Sequence, residues 1–111
     1  MEKTVWHEII MDAESADETV STVIGPAIAA RCREMAFYIE WSTGVTAGVV
    51  EVETASHAAY TGTWDSVATT TYTSGAPKSE VVVSHGVGLA FRARISTAVA
   101  NGTVTVTFVG N

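Results

Sequence analysis

Lysine, leucine, cysteine and proline are all scarce in this chain of 111 residues, which has two Lys, one Leu, one Cys and two Pro. The lone Cys32 excludes an internal disulfide framework and any multi-cysteine zinc site. It points to a protein made in a reducing cytoplasm and stabilised by packing. No apolar run approaches the ~20 residues that a membrane helix requires. The opening Met1-Glu2-Lys3-Thr4-Val5-Trp6-His7-Glu8 lacks the cationic start and apolar stretch of a signal peptide. Bases are few as well: six Lys and Arg face twelve Asp and Glu, a formal charge of −6. That balance argues against nucleic acid, whose binders need cations to displace phosphate counterions. Disorder is also excluded, because 47% of residues are hydrophobic and only 16% charged.

What the chain has instead is 16 Val, 16 Thr and 16 Ala. Val and Thr are stiff at χ1 and suit a pleated surface. The length fits one domain, with enough buried surface for one core. Alternation is clear in residues 35–42, where Met35, Phe37, Ile39 and Trp41 share a face. Val50 and Val52 lie opposite Glu51 and Glu53. Leu89, Phe91, Ala93 and Ile95 lie opposite Arg92 and Arg94, and Val104, Val106 and Phe108 alternate with threonines. Further strands are predicted at 19–24, 67–73 and 80–84, while residues 27–34 are ambiguous between strand and a helical turn. Gly25-Pro26, Thr43-Gly44 and Ser74-Gly75-Ala76-Pro77 mark turns, and Asn101-Gly102 reads as a hairpin. About seven or eight short strands imply an all-β, antiparallel, jelly-roll-like sandwich over residues 19–111.

Residues 1–18 differ from the rest. They hold half of the acids, interrupted by Trp6, Ile9, Ile10 and Met11. One reading is an acidic N-terminal arm or peripheral segment, with Trp6, Ile10 and Met11 on one helical face. The other is a first edge strand over residues 5–11, followed by a solvated loop.

Patterns that carry chemistry are weak. His7, His57 and His85 lack metal-ligand spacing, and no metal or cofactor is implied. Ser56-His57 and Ser84-His85 with Asp65 invite a catalytic triad, but no nucleophile turn such as Gly-x-Ser-x-Gly accompanies them. Gly86-Val87-Gly88 is no phosphate cradle, since no helix follows. Glu51 and Glu53 share a strand face, as do Arg92 and Arg94, so the two pairs can join across an outer sheet face. Arg31 and Arg33 flank Cys32 and are candidates to receive acids from a neighbour. Tyr38, Trp41, Tyr60, Trp64 and Tyr72 suggest a sugar-stacking platform, against which Trp41 reads as core and Trp64 as a packed corner. A lysine-poor surface rich in Thr and Ala loses little side-chain entropy when covered, and so suits a large permanent contact.

Three stretches carry a resemblance: the run from Glu40-Trp41-Ser42-Thr43-Gly44 to Glu51-Val52-Glu53, then Ala58-Ala59-Tyr60-Thr61-Gly62-Thr63-Trp64, then Ala90-Phe91-Arg92-Ala93-Arg94-Ile95-Ser96 with Gly102-Thr103-Val104-Thr105-Val106. From about Met35 onward the chain resembles the small β-sandwich capsid decoration proteins of tailed bacteriophages, the cement or staple proteins of short-tailed enterobacterial phages included. The resemblance implies a non-enzymatic virion protein on the capsid outer surface, clamping neighbouring major capsid subunits to stabilise the expanded, DNA-filled head. Its expected partners are the major capsid protein and a second copy of itself, as a dimer. Trp6, Ile9, Ile10, Arg31, Arg33, Arg92 and Arg94 are the candidate contact residues. A glycan-binding or receptor-recognition module of the virion is the alternative.

Overall fold

The computed structural model describes residues 6–83 and 89–111. In chain order its elements are β1 Trp6–Glu14, α1 Pro26–Ala29, β2 Met35–Trp41, β3 Ala47–Ala55, β4 Asp65–Thr71, β5 Lys78–Val83, β6 Ala90–Ala100 and β7 Val104–Gly110. The strands form two sheets, ordered β1-β7-β2-β5 and β4-β3-β6, and every pairing is antiparallel. The all-β sandwich expected from composition is therefore what the chain adopts.

Residues 19–24 supply an eighth, strand-like stretch along the free side of β6. Ile24 and Phe91 exchange N–H to C=O bonds of 2.8 and 2.9 Å, and the Ile95 amide donates to the Thr19 carbonyl at 2.9 Å. Between them, the Ala93 amide donates to Ser21 Oγ at 2.8 Å. With this stretch counted second, the first segment pairs the eighth, the second the seventh, the third the sixth and the fourth the fifth. That is one long hairpin rolled on itself, the pairing logic of a jelly roll.

Rolling the hairpin explains the connections. Only β3 and β4 are consecutive partners; β1 and β2 share a sheet with β7 between them, and every other consecutive pair of strands lies in opposite sheets. Asn101-Gly102 therefore makes a crossing between β6 and β7 instead of the expected hairpin. Asn101 does take the left-handed conformation, at φ 62°. Gly102 is needed for close approach, since a Cβ there would lie 2.5 Å from Ser42 Oγ and 2.6 Å from Val45 Cγ2. The ambiguous stretch at 27–34 resolves into the single turn of α1 followed by a bend. Proline at its first position presets φ and forgoes an amide that would be unpaired anyway.

The core fills the space between the sheets. Met35, Phe37, Ile39 and Trp41 of β2 and Val104, Val106 and Phe108 of β7 face Val50 and Val52 of β3 and Phe91, Ala93 and Ile95 of β6, all buried. The Phe37 ring joins the layers, with its centroid 5.4 Å from Phe108 and 6.3 Å from Phe91. Truncating such a ring to alanine costs ~3–5 kcal/mol. Leu89 departs from the expected inner face. It precedes Ala90, the first residue of β6 to pair with β3, and is exposed.

Residues 6–14 correct the arm reading. They form the edge strand beside β7, from Trp6 opposite Gly110 to Glu14 opposite Val104. Ile9 faces Thr107 and Met11 faces Val106, so Ile10 is an extra, bulged residue. The bulge turns Ile10 and Met11 inward together, and both are buried. This break in the two-residue period is what resembled a helical face. The acidic stretch after it stays at the surface, as its charge requires. The predicted starts and ends at Val5 and Ser84, the Ser84-His85 pair and Gly86-Val87-Gly88 lie outside the described residues.

Candidate functional site

The two outer sheet faces differ in how their polar groups are satisfied. On the three-stranded sheet, Glu51 lies opposite Arg94 and Glu53 opposite Arg92. Glu53 accepts from both arginines, through Oε1 from Arg92 Nε at 3.1 Å and through Oε2 from Arg94 Nε at 2.9 Å. Arg94 continues to Glu51 Oε2 and to Glu18 Oε1, each at 3.0 Å. The Arg92 guanidinium lies 4.3 Å above the Trp64 ring. Below it the Trp64 indole N–H donates to the Tyr60 carbonyl at 3.1 Å.

These contacts tune the ladder's charges. The Glu53 carboxylate raises the Arg94 pKa by hydrogen bonding and charge, against the opposing effect of burial, with Glu18 and Glu51 adding to it. Glu51 titrates below the usual carboxylate range. The Ser66 hydroxyl is the main cause; Ser96, Arg94 and Thr69 assist, while burial opposes. The cross-strand pairing weighed from the sequence thus forms. Arg94 is engaged inside the chain through all three of its nitrogens, and Arg92 through Nε, each side chain staying about one-fifth exposed.

The four-stranded sheet has a different exterior. The register places His7, Val109, Ala36 and Val82 in one row across β1, β7, β2 and β5. The next row is Ile9, Thr107, Tyr38 and Glu80, and a third carries Thr105, Glu40 and Lys78. Ile9 is 54% exposed, Val82 50% and Tyr38 38%, so large apolar groups meet solvent here. Tyr38 stands between two shallow grooves. One, of about 180 Å³, has Glu34, Glu80, Ala36, Val82 and Val109 in its walls. The other, of about 320 Å³, is lined by His7, Ile9, Glu40, Thr107 and Val109. The Tyr38 pKa is raised, chiefly by the Glu80 carboxylate opposite it on β5.

The other candidate residues are dispersed. Ile10 is core, a correction that follows from the bulge. Ile9 is on the open face, and Trp6 is half-buried beside a cleft of about 230 Å³ with Arg31, Cys32, Gly110 and Asn111. Arg31 and Arg33 are exposed on the bend after α1. Among the described residues every ion pair belongs to the ladder, so neither arginine has a carboxylate within 4.0 Å. Burial raises the Cys32 thiol pKa, with a backbone hydrogen bond from Asn111 partly offsetting it.

The five aromatics do not form one platform. Trp41 is in the core with Tyr72 edge-on at 5.6 Å, Trp64 is sealed beneath Arg92, and Tyr60 meets His57 on the loop between β3 and β4. Among the described residues, no hydrogen bond joins Ser56, His57 and Asp65, no three His, Cys, Asp or Glu side chains gather as metal ligands, and no helix is long and apolar enough to cross a membrane.

The open face itself was missed from sequence. Its one local signal is Val81-Val82-Val83, which makes both sides of an edge strand apolar.

Neither a protein-family profile nor a curated protein matches the chain. Among solved structures it is similar to a chain from the Bacillus endospore appendages, which form a novel family of disulfide-linked pili. The TM-score is 0.53 at 16% identity, over 98% of this chain and 88% of that one. Similarity at that level is one of fold.

Proposed function

We propose that this protein is a capsid decoration protein, a structural component without catalysis that sits on the outer surface of a phage head. It braces neighbouring major capsid subunits once the shell has expanded. The observation that carries this reading is the contrast between the two sheet exteriors. One is closed by its own ion pairs; the other presents Ile9, Tyr38 and Val82 on a flat face of short side chains. Val, Thr and Ala lose little rotamer freedom on being covered, so such a face favours a lasting contact. The resemblance from Met35 onward supports the same assignment, and Arg31, Arg33, Trp6 and Ile9 are its further contact candidates.

Size sets how the contact works. Four strands by three rows present roughly 400 Å², about half of the ~800 Å² per partner of a standard interface. One such contact is weak. Many copies on one lattice, paired as dimers, gain through multivalency and stabilise the state they bind by mass action.

The test is sedimentation of the purified protein with expanded and unexpanded heads. Fixed stoichiometry on expanded heads, together with higher resistance to heat, is the expected result. Failure to bind heads of either form rejects the proposal.

A second reading, self-assembly into a fibre, is favoured by the fold likeness to the appendage pili. Cys32 constrains it: one cysteine in these 111 residues can link two copies but not a covalent series. Filaments of the purified protein in electron micrographs would favour this second reading.

A further inference from the structure

We infer that the outer face of the four-stranded sheet receives a protein surface presenting paired basic side chains, one on each side of Tyr38. The inference rests on the docking role proposed above and specifies the chemistry of what docks.

Each groove combines the two things that a Lys or Arg side chain needs. In the first, Ala36, Val82 and Val109 offer an apolar floor, and Glu34 and Glu80 offer carboxylates. In the second, Ile9 and Val109 form the floor and Glu40 the acid, with His7 beside it. A long basic side chain lays its methylene stem on such a floor and carries its charge to the rim. Tyr38 supplies an aromatic face between the two positions, with Glu80 opposite it across the ladder. A cation beside that ring gains the attraction of its quadrupole.

The alternatives fit less well. Lys78 lies across the ladder from Glu40, yet no ion pair forms between them within 4.0 Å. Among the described residues, three carboxylates, those of Glu34, Glu40 and Glu80, therefore border this face with one lysine among them. An acidic partner would meet like charge. A wholly apolar partner would cover these carboxylates unpaired, at large cost. A second copy stacked face to face would bring a surface with the same excess of carboxylates.

The experiment uses a capped pentapeptide alternating lysine and valine, its glutamate–valine counterpart, and a Glu40→Gln/Glu80→Gln double variant. Amide chemical shifts are followed during titration. The basic peptide is expected to perturb Tyr38, Glu80, Val82 and Val109. The double variant should bind it about tenfold more weakly, and the acidic peptide should not bind.

Shifts elsewhere, equal binding by the double variant, or equal binding of the acidic peptide overturns the inference. So does self-association in analytical ultracentrifugation that the double variant abolishes, since the occupant is then a second copy. Expanded heads separate this inference from the capsid assignment. If wild type and double variant bind heads equally, the inference falls and the capsid assignment stands. If the basic peptide docks as expected while heads are not bound, the inference stands and the capsid assignment falls.

Discussion

Glu53→Gln tests the ladder that closes the three-stranded sheet. The Glu53 side chain is 4% exposed and bonds Arg92 and Arg94 with separate oxygens. Glutamine keeps the size but has one acceptor oxygen, and it turns an N–H donor toward the second guanidinium. Two cations then share a nearly dry site without their common anion. Removing one partner of a buried pair costs ~3–5 kcal/mol. Both arginines are about one-fifth exposed, and water there screens part of the loss, leaving ~2–3 kcal/mol.

At about 2.1 cal/mol/K per residue, 111 residues convert that loss into a fall in melting temperature of about 10 °C. Glu18→Gln is the control. It removes a contact to the same Arg94, but Glu18 is 68% exposed, and its melting temperature should move by less than ~3 °C. Calorimetry measures both. A cycle of Glu53→Gln with Arg94→Gln should show coupling of at least ~1 kcal/mol. If the two glutamate variants melt together, or the cycle gives no coupling, burial does not decide the strength of the ladder and the reasoning is wrong.

Four further outcomes follow from the same structure. Glu51 titrates below its unfolded value, so its contribution is complete above the ordinary carboxylate range and is lost as pH falls through the folded value; urea midpoints should decline there, and less steeply in Glu51→Gln. Gly48→Ala puts a Cβ 2.9 Å from Trp41 Cζ3 and 3.2 Å from Val99 Cγ2, an overpacking that should lower the urea midpoint by ~1–3 kcal/mol equivalent. Deleting residues 1–18, harmless if they were an arm, removes β1 with Ile10 and Met11, and the truncated chain should lose its cooperative melting transition. Cys32, whose thiol pKa burial raises, should react with iodoacetamide at pH 8 more slowly than in the urea-unfolded chain.

Parity was the legible part of this sequence; neighbours were not. The inner faces of β2 and β7 follow from period-two alternation because each strand is regular and buried on one side. β1 hides its parity, because one bulged residue shifts Ile10 and Met11 to the same side. Asn101-Gly102 carries a turn signal, but a dipeptide specifies local backbone and not which sheet the next strand enters. The Glu51/Glu53 and Arg92/Arg94 match was visible because two like-spaced pairs of opposite sign need only one register to meet. The open face had no comparable signature. His7, Val109, Ala36 and Val82 come from four strands spread over the chain, and only the rolled hairpin makes them one row.

Charge then separates two exteriors that parity treats alike. On one sheet the acids of β3 meet the arginines of β6, and the field closes within the chain. On the other, Lys78 is the one Lys or Arg among the described residues in the rows of Glu40 of β2 and Glu80 of β5, and β7 contributes threonine and valine between them and β1. Exposed carboxylates cost nothing while water solvates them. Once a partner excludes that water they need cations, and among the described residues that face offers no Lys or Arg beyond Lys78. The same imbalance that leaves the face free in solution therefore sets the sign of the charge on whatever covers it.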